Sequence, residues 1–473
     1  MATTQREGAG LQRSLKRRHM TMIALGGVIG AGLFVGSGAV INQTGPAAVI
    51  SYLLAGVLLV LVMRMLGEMS VADPEVGSFS EYARRAIGGW AGFSVGWLYW
   101  YFWAIVLAIE AVAGAEILQR WVDLPLWLMA LVLMAGLTGT NLVSVRSYGE
   151  FEFWFASIKV AAIIAFILVC LGFLLGVGGG HSPGLSNLTA HGGIAPAGGI
   201  TVLSGVVIVI FAFVGAEIVT IAAAESDEPE RAVSRAVTSV VLRVMAFYVL
   251  SVLLIVLIVP WNSTKLGDSP FVAALGRIGI PGAADVMNAI VLTAVLSCLN
   301  SGLYTASRML FALARRGDAP TGLLDTNRRR VPVKAILLTT SVGFLSTILA
   351  YLSPDKVFLF LVNSSGAIAL FVYLLIAVAE LRMRRRLERE APERLTLRMW
   401  GYPWLTWLSI VAILAIIASM AFVKDVRSQL IPSLLAMGIA IGVGVVRDRR
   451  AVARQEQRGG LGERRGRAAP SGA

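Results

Sequence analysis

Apolar residues run in long blocks along the 473-residue chain, and the blocks are nearly free of Asp, Glu, Lys and Arg. Twelve can be marked, at roughly 21–41, 46–67, 91–118, 125–144, 153–178, 200–223, 238–260, 284–314, 334–352, 356–380, 402–423 and 428–446. About 20 helical residues cross a bilayer core. Most of these blocks are apolar all round rather than striped, as suits helices embedded in lipid. Alternation over about ten residues, the mark of an outer-membrane barrel strand, is not visible. The pattern predicts an all-α polytopic membrane protein with twelve transmembrane helices. The third and eighth blocks exceed one crossing, and tilt or extra turns outside the bilayer absorb the surplus.

Composition agrees: 57% of residues are apolar and 15% charged, against roughly 45–50% and about 25% in soluble domains. The net charge of +13, from 41 Lys+Arg against 28 Asp+Glu, could suggest a nucleic-acid binder. Its placement argues otherwise. Basic residues crowd before the first block (Arg13, Lys16, Arg17, Arg18) and at and after the end of the second (Arg64, Arg84, Arg85). They also crowd after the eighth (Arg315, Arg316, Arg328, Arg329, Arg330), after the tenth and in the tail. The opposite connections offer Arg120, Lys265, Arg277, Lys356, Lys424 and Arg427. By the positive-inside rule both termini are expected in the cytoplasm, and nucleic acid is not needed to explain the charge. The expected organisation is a cytoplasmic tail at 1–18, a ten-helix core at 19–380, a cytoplasmic loop at 381–401, two further helices at 402–446 and a basic cytoplasmic tail at 447–473. The first block follows its basic stretch directly and is too long for a cleavable signal. Residues 1–12 and 451–473 are polar and rich in Gly and Arg, the composition of disorder.

Two blocks are interrupted. The first contains Gly26, Gly27, Gly30, Gly32, Gly36 and Gly38 within thirteen residues. Each weakens a helix by up to about 1 kcal/mol relative to alanine. They serve either close helix packing through small-xxx-small contacts or an unwound segment whose freed N–H groups face a bound anion. Packing alone needs one glycine face, whereas these point all round. The sixth block carries Glu217 behind Phe211-Ala212-Phe213-Val214-Gly215-Ala216, and a carboxylate at that depth must be paired, protonated or facing a cavity. Blocks one and six lie five apart, and five is odd, so blocks 1–5 and 6–10 form halves of opposite topology. Corresponding interruptions in two inverted halves point to the midplane site of secondary transporters.

Lys159 lies in the fifth block, one to two turns inside its inner end; it can snorkel outward, or it can be desolvated by neighbouring helices and carry a proton. Glu110 and Glu116 lie in the third block and Arg308 late in the eighth; Glu116 and Arg308 are expected to snorkel. Cys170 and Cys298, both in apolar blocks, read as structural thiols, and neither metal nor cofactor is expected. His19, His181 and His191 are scattered in connections or at a helix edge, so no convergent catalytic set is visible and an enzyme is not expected.

At these segments the sequence resembles amino acid permeases of the amino acid–polyamine–organocation superfamily. The likeness rests on Gly27–Ser37, on Thr44-Gly45-Pro46 through Leu66-Gly67-Glu68 to Pro74, and on Tyr148–Trp154. It continues through Asn300–Arg308 and Ser364–Ala369, and covers roughly residues 12–446. Gly215–Ser226, Ser297–Ser301 before Arg315–Pro320, and Arg398–Trp407 are most similar to the bacterial γ-aminobutyrate permeases within that family. Ala31 departs from the threonine or serine common among relatives, which removes a hydroxyl but leaves the backbone donors.

The resemblance implies the leucine-transporter fold, two inverted five-helix repeats with discontinuous first and sixth helices, plus two more helices. It implies that Gly30, Ala31 and Gly32 offer N–H groups to a substrate carboxylate, and that carbonyls near Phe211, Ala212 and Val214 accept from its ammonium. Phe211 or Phe213 would be an aromatic lid. Lys159 would stand where sodium-coupled relatives hold the ion, with Glu217 a second proton-coupling candidate. The expected activity is proton-coupled import of a small zwitterionic amino acid, most similar to γ-aminobutyrate transport, across the cell membrane, with amino acid, proton and membrane lipid as partners. A permease for proline, aromatic residues or D-alanine/glycine, an uncoupled exchanger, and a channel remain the competing readings.

Overall fold

The computed structural model describes residues 28–73, 78–143, 145–177, 184–217, 241–263, 266, 269–352 and 354–467. Gly26, Gly27, the stretch from Ile218 to Thr220, the N-terminal tail and the last six residues lie outside the described residues. Within them the elements are helices joined by turns, without a strand.

A helix overlaps each apolar block. Helices α1 (Ala31–Phe34) and α2 (Gly36–Thr44) share the first block, and α3 (Ala48–Ala72) fills the second. After a short α4 (Ser78–Ala86) come α5 (Gly89–Leu118), α6 (Leu126–Val143) and α7 (Val145–Leu174). Then follow α8 (Gly199–Phe213), α9 (Val241–Ile258), a short α10 (Pro270–Ile278) and α11 (Ala283–Arg315). The chain ends with α12 (Val333–Leu352), α13 (Pro354–Glu390), α14 (Trp404–Ser419) and α15 (Lys424–Arg467). By length and composition, six stretches among the described residues can cross a bilayer: Ala31–Ala72, Gly89–Leu118, Phe151–Leu174, Ala283–Arg315, Phe360–Glu390 and Val426–Arg450. Five further apolar helices are shorter.

The short helices α4 and α10 have local causes. Glu81 of α4 pairs with Arg85 one turn on at 3.1 Å while Phe79, Tyr82 and Ala83 are buried. Pro270 opens α10 and a left-handed Gly279 closes it. Two helices run past the expected boundaries. α13 continues through the expected 381–401 loop to Glu390, carried by Arg384–Glu388 and Arg386–Glu390 pairs at 2.8 and 2.7 Å. α15 continues to Arg467, where composition suggested disorder; its Ala, Arg, Glu and Gln residues are good helix formers.

The buried centre is α5, which packs against α11, α13, α15, α6 and α12. α8 lies against α3, α13, α14 and the broken first block, while α7 packs on α11 and α9. Outward faces of α7, α14 and α15 leave Trp154, Leu168, Trp404, Leu408, Ile431 and Ile439 exposed. An apolar face that broad is stable against hydrocarbon rather than water.

Candidate functional site

The first block does break. Val28, Ile29 and Gly30 are not helical, Gly30 is extended (φ −143°, ψ −152°), and α1 begins at Ala31. A helix leaves its first N–H groups without intrahelical acceptors, and the Ala31 N–H donates to the Glu110 carboxylate of α5 at 3.0 and 3.2 Å. Glycine is required here by close approach. A Cβ on Gly30 would lie 2.6 Å from Glu110 Oε1 and 2.7 Å from Cys298, and one on Gly32 would lie 2.6 Å from the Cα of Ala212. Close packing and the interruption therefore fall on the same glycines, Gly30 and Gly32.

The sixth block breaks opposite it. α8 ends at Phe213, Val214 is extended (ψ 140°), and Gly215 adopts φ +111°, a conformation side-chain-bearing residues rarely reach. The turn is fixed by Glu217. Its carboxylate accepts from the Gly215 N–H at 3.0 and 3.1 Å, from Tyr99 Oη at 2.7 Å and from Tyr373 Oη at 3.3 Å. Tyr248 of α9 ties the two breaks together, its hydroxyl lying 3.0 Å from the carbonyl of Val28 and 3.1 Å from that of Ala212. Phe213 is buried, stacked on Tyr248 with ring centres 4.8 Å apart. Phe211 stands beside Gly32 and faces Phe102 at 6.2 Å.

Lys159 sits in the middle of α7, which starts at Val145, before the apolar block. It is wholly buried, so snorkelling is not its role. Its ammonium donates to the carbonyl of Ile29, in the break, at 3.1 Å and to Ser297 Oγ at 2.8 Å. Ser297 in turn donates to the Glu152 carboxylate at 2.7 and 2.8 Å, and Lys159 Nζ lies 3.8 Å from Glu152 Oε1. Each ionisable group in this region is thus matched, which its burial in a membrane interior demands. Glu116 is exposed and the Arg308 guanidinium lies over the Tyr304 ring.

Gly32 of the first break rests against Ala212 and Phe211 of the second, Tyr248 joins Val28 to Ala212, and Lys159 bonds the first break at Ile29, while Glu217 lies with Gly215, Tyr99 and Tyr373. Sequence reading missed Glu152, Ser297, Tyr99, Tyr248 and Tyr373. A single hydroxyl or carboxylate in a mostly apolar helix carries little signal until its partner from another helix is known.

Residues 19–446 match the family of amino acid permeases. The chain belongs to that family. The permease is 55% identical to the γ-aminobutyric acid permease of Bacillus subtilis, over 92% of this chain and 93% of that one. It is 50% identical to the γ-aminobutyric acid permease of Escherichia coli, over 91% and 93%. Its backbone also resembles the crystal structure of the Eremococcus coleocola manganese transporter in complex with an aromatic bis-isothiourea substituted compound. There the TM-score is 0.56 at 12% identity, covering 95% of the permease and 99% of that chain. The permease accordingly has the leucine-transporter fold with discontinuous first and sixth helices, and is an amino acid transporter and not an enzyme.

Proposed function

We propose that the permease imports γ-aminobutyrate together with protons, as a multi-pass protein of the cell membrane whose twelve blocks are twelve crossings and whose termini are cytoplasmic. The observation that carries this reading is the pairing of two broken helices at Gly30 and Val214 in a chain half-identical to γ-aminobutyrate permeases.

A zwitterion in a low-dielectric site needs both charges met. The N–H groups of Gly30, Ala31 and Gly32, at the positive end of a half-helix, suit the carboxylate, and the carbonyls of Phe211, Ala212 and Val214 suit the ammonium. Phe211, beside Gly32, is the better placed lid. Glu110 holds the Ala31 N–H that the substrate carboxylate needs. Two carboxylates about 4 Å apart repel by about 4 kcal/mol at an effective dielectric constant of 20. Substrate entry therefore expels Glu110 or requires a proton on it, which couples binding to charge. Lys159, hydrogen-bonded to the first break, is the coupling cation, and Glu217, fixed in the second, is its counterpart. Alternating access arises as helices of the first, second, sixth and seventh blocks rock against the rest. Arg447, Arg449 and Arg450 follow the last apolar block, and anionic lipid heads at that face would attract them by about 1 kcal/mol each.

Competition of labelled γ-aminobutyrate uptake by a panel of amino acids tests the substrate. Unlabelled γ-aminobutyrate is expected to compete best; far stronger competition by proline or phenylalanine moves the protein to another branch of the family.

A further inference from the structure

From the buried cluster behind the first break, we infer that Lys159 hands its proton to Glu152 through the hydroxyl of Ser297, and that Glu152 is the release group on the cytoplasmic side. The inference rests on the reading of Lys159 as the coupling residue. The three side chains form an unbroken donor–acceptor series. Lys159 Nζ donates to Ser297 Oγ at 2.8 Å, and Ser297 Oγ donates to Glu152 at 2.7 Å. All three are fully buried. The direct gap from Nζ to Oε1 is 3.8 Å, too long for a hydrogen bond, so the hydroxyl is the bridge.

The atoms balance in one concerted step. The Nζ–H bond breaks as Ser297 Oγ accepts that proton, and the proton already on Ser297 passes to the Glu152 carboxylate. An ammonium and a carboxylate become an amine and a carboxylic acid, with no net charge created in the interior. Losing the Lys159 proton directly to the substrate side would strand the Glu152 carboxylate alone in a dry site, which is far costlier than converting the pair.

Direction follows from helix geometry. Glu152 precedes Lys159 by seven residues, two turns or about 10 Å along α7. It also hydrogen-bonds Ser301, one turn beyond Ser297 on α11. Both displacements lead toward the end of α11 that carries Arg315 and Arg316 and, beyond it, Arg328, Arg329 and Arg330, the face that the positive-inside rule assigns to the cytoplasm. Glu110 of α5 and Cys298 of α11 also face Lys159. Glu110, however, is committed to the Ala31 N–H and is hydrogen-bonded by Cys298 on the substrate side.

The test uses the full chain in proteoliposomes, with labelled γ-aminobutyrate followed in two assays: accumulation driven by an imposed pH gradient, and counterflow at equal pH. Glu152→Gln and Ser297→Ala are expected to lose driven accumulation at least tenfold while counterflow persists, and Ser297→Thr, which keeps the hydroxyl, is expected to restore it. A residue that only fills space would move both assays together. If Lys159→Ala stops driven accumulation but Glu152→Gln and Ser297→Ala accumulate normally, the relay is wrong and the coupling role of Lys159 stands. If Lys159→Ala itself accumulates normally, the coupling role fails and the relay with it. Should Glu152→Gln not reach the membrane, Ser297→Ala decides alone: selective loss supports the relay and unchanged accumulation overturns it.

Discussion

The carboxylate of Glu217 shows how a costly buried residue is held in place. Two tyrosine hydroxyls and the Gly215 N–H satisfy it, and together they hold the extended Val214 and left-handed Gly215 that end α8. Removing the Tyr99 hydroxyl in Tyr99→Phe takes away one hydrogen bond to a charged group, worth about 1.5–3 kcal/mol. The turn that presents the Phe211, Ala212 and Val214 carbonyls is then less firmly set. At tenfold per 1.4 kcal/mol, the apparent KM for γ-aminobutyrate should rise by about tenfold or more. An unchanged KM at normal membrane levels contradicts this role. The depth of Glu217 in an apolar block was plain in the sequence, but Tyr99 and Tyr373, which come from α5 and α13, were not. Lys159 was equally visible and equally ambiguous, since a lysine in an apolar block reads the same whether it snorkels or pairs. The full burial of Lys159 and its partners Ile29, Ser297 and Glu152 decide between the two.

The broken helices were the most legible elements, because six glycines within thirteen residues and a carboxylate behind an apolar run are local signals. What the string of glycines could not show is that Gly32 rests against the backbone of Ala212, so that the two breaks touch. That contact sets a stringent test. In Gly32→Val the new Cβ meets a Cα at 2.6 Å, and no flexible side chain can yield. Transport should be lost, and Gly32→Ala should already impair it. Gly139→Ala on α6, where a Cβ meets nothing within 4 Å, should transport normally. Normal uptake by Gly32→Val, with insertion checked by surface labelling, contradicts the close-packed site. The helix ends were less legible than the breaks. The extension of α13 to Glu390 and of α15 to Arg467 depends on charged residues that favour helix while reading, by composition, as loop or tail.

Across the whole molecule, the hydrophobic pattern, the family match and the fold agree on an all-helical membrane transporter, and a helix overlaps every apolar block. The inverted arrangement of the two halves was inferred from an odd number of helices per half, with no residue-level repeat to support it. It is backbone likeness, at 12% identity, that carries the point. The charge excess falls into the connections and tail of a membrane protein, so it does not point to nucleic acid. At this scale the proposed coupling is that a zwitterion bound between the two breaks, with the buried Lys159 behind the first one, moves with a proton. Accumulation of labelled γ-aminobutyrate in proteoliposomes of the full chain, under an outside-acid pH gradient, measures it directly. The expected result is an internal level above the external one that collapses when a protonophore is added. Uptake indifferent to the gradient, or flux seen only in exchange for an internal amino acid, contradicts the account.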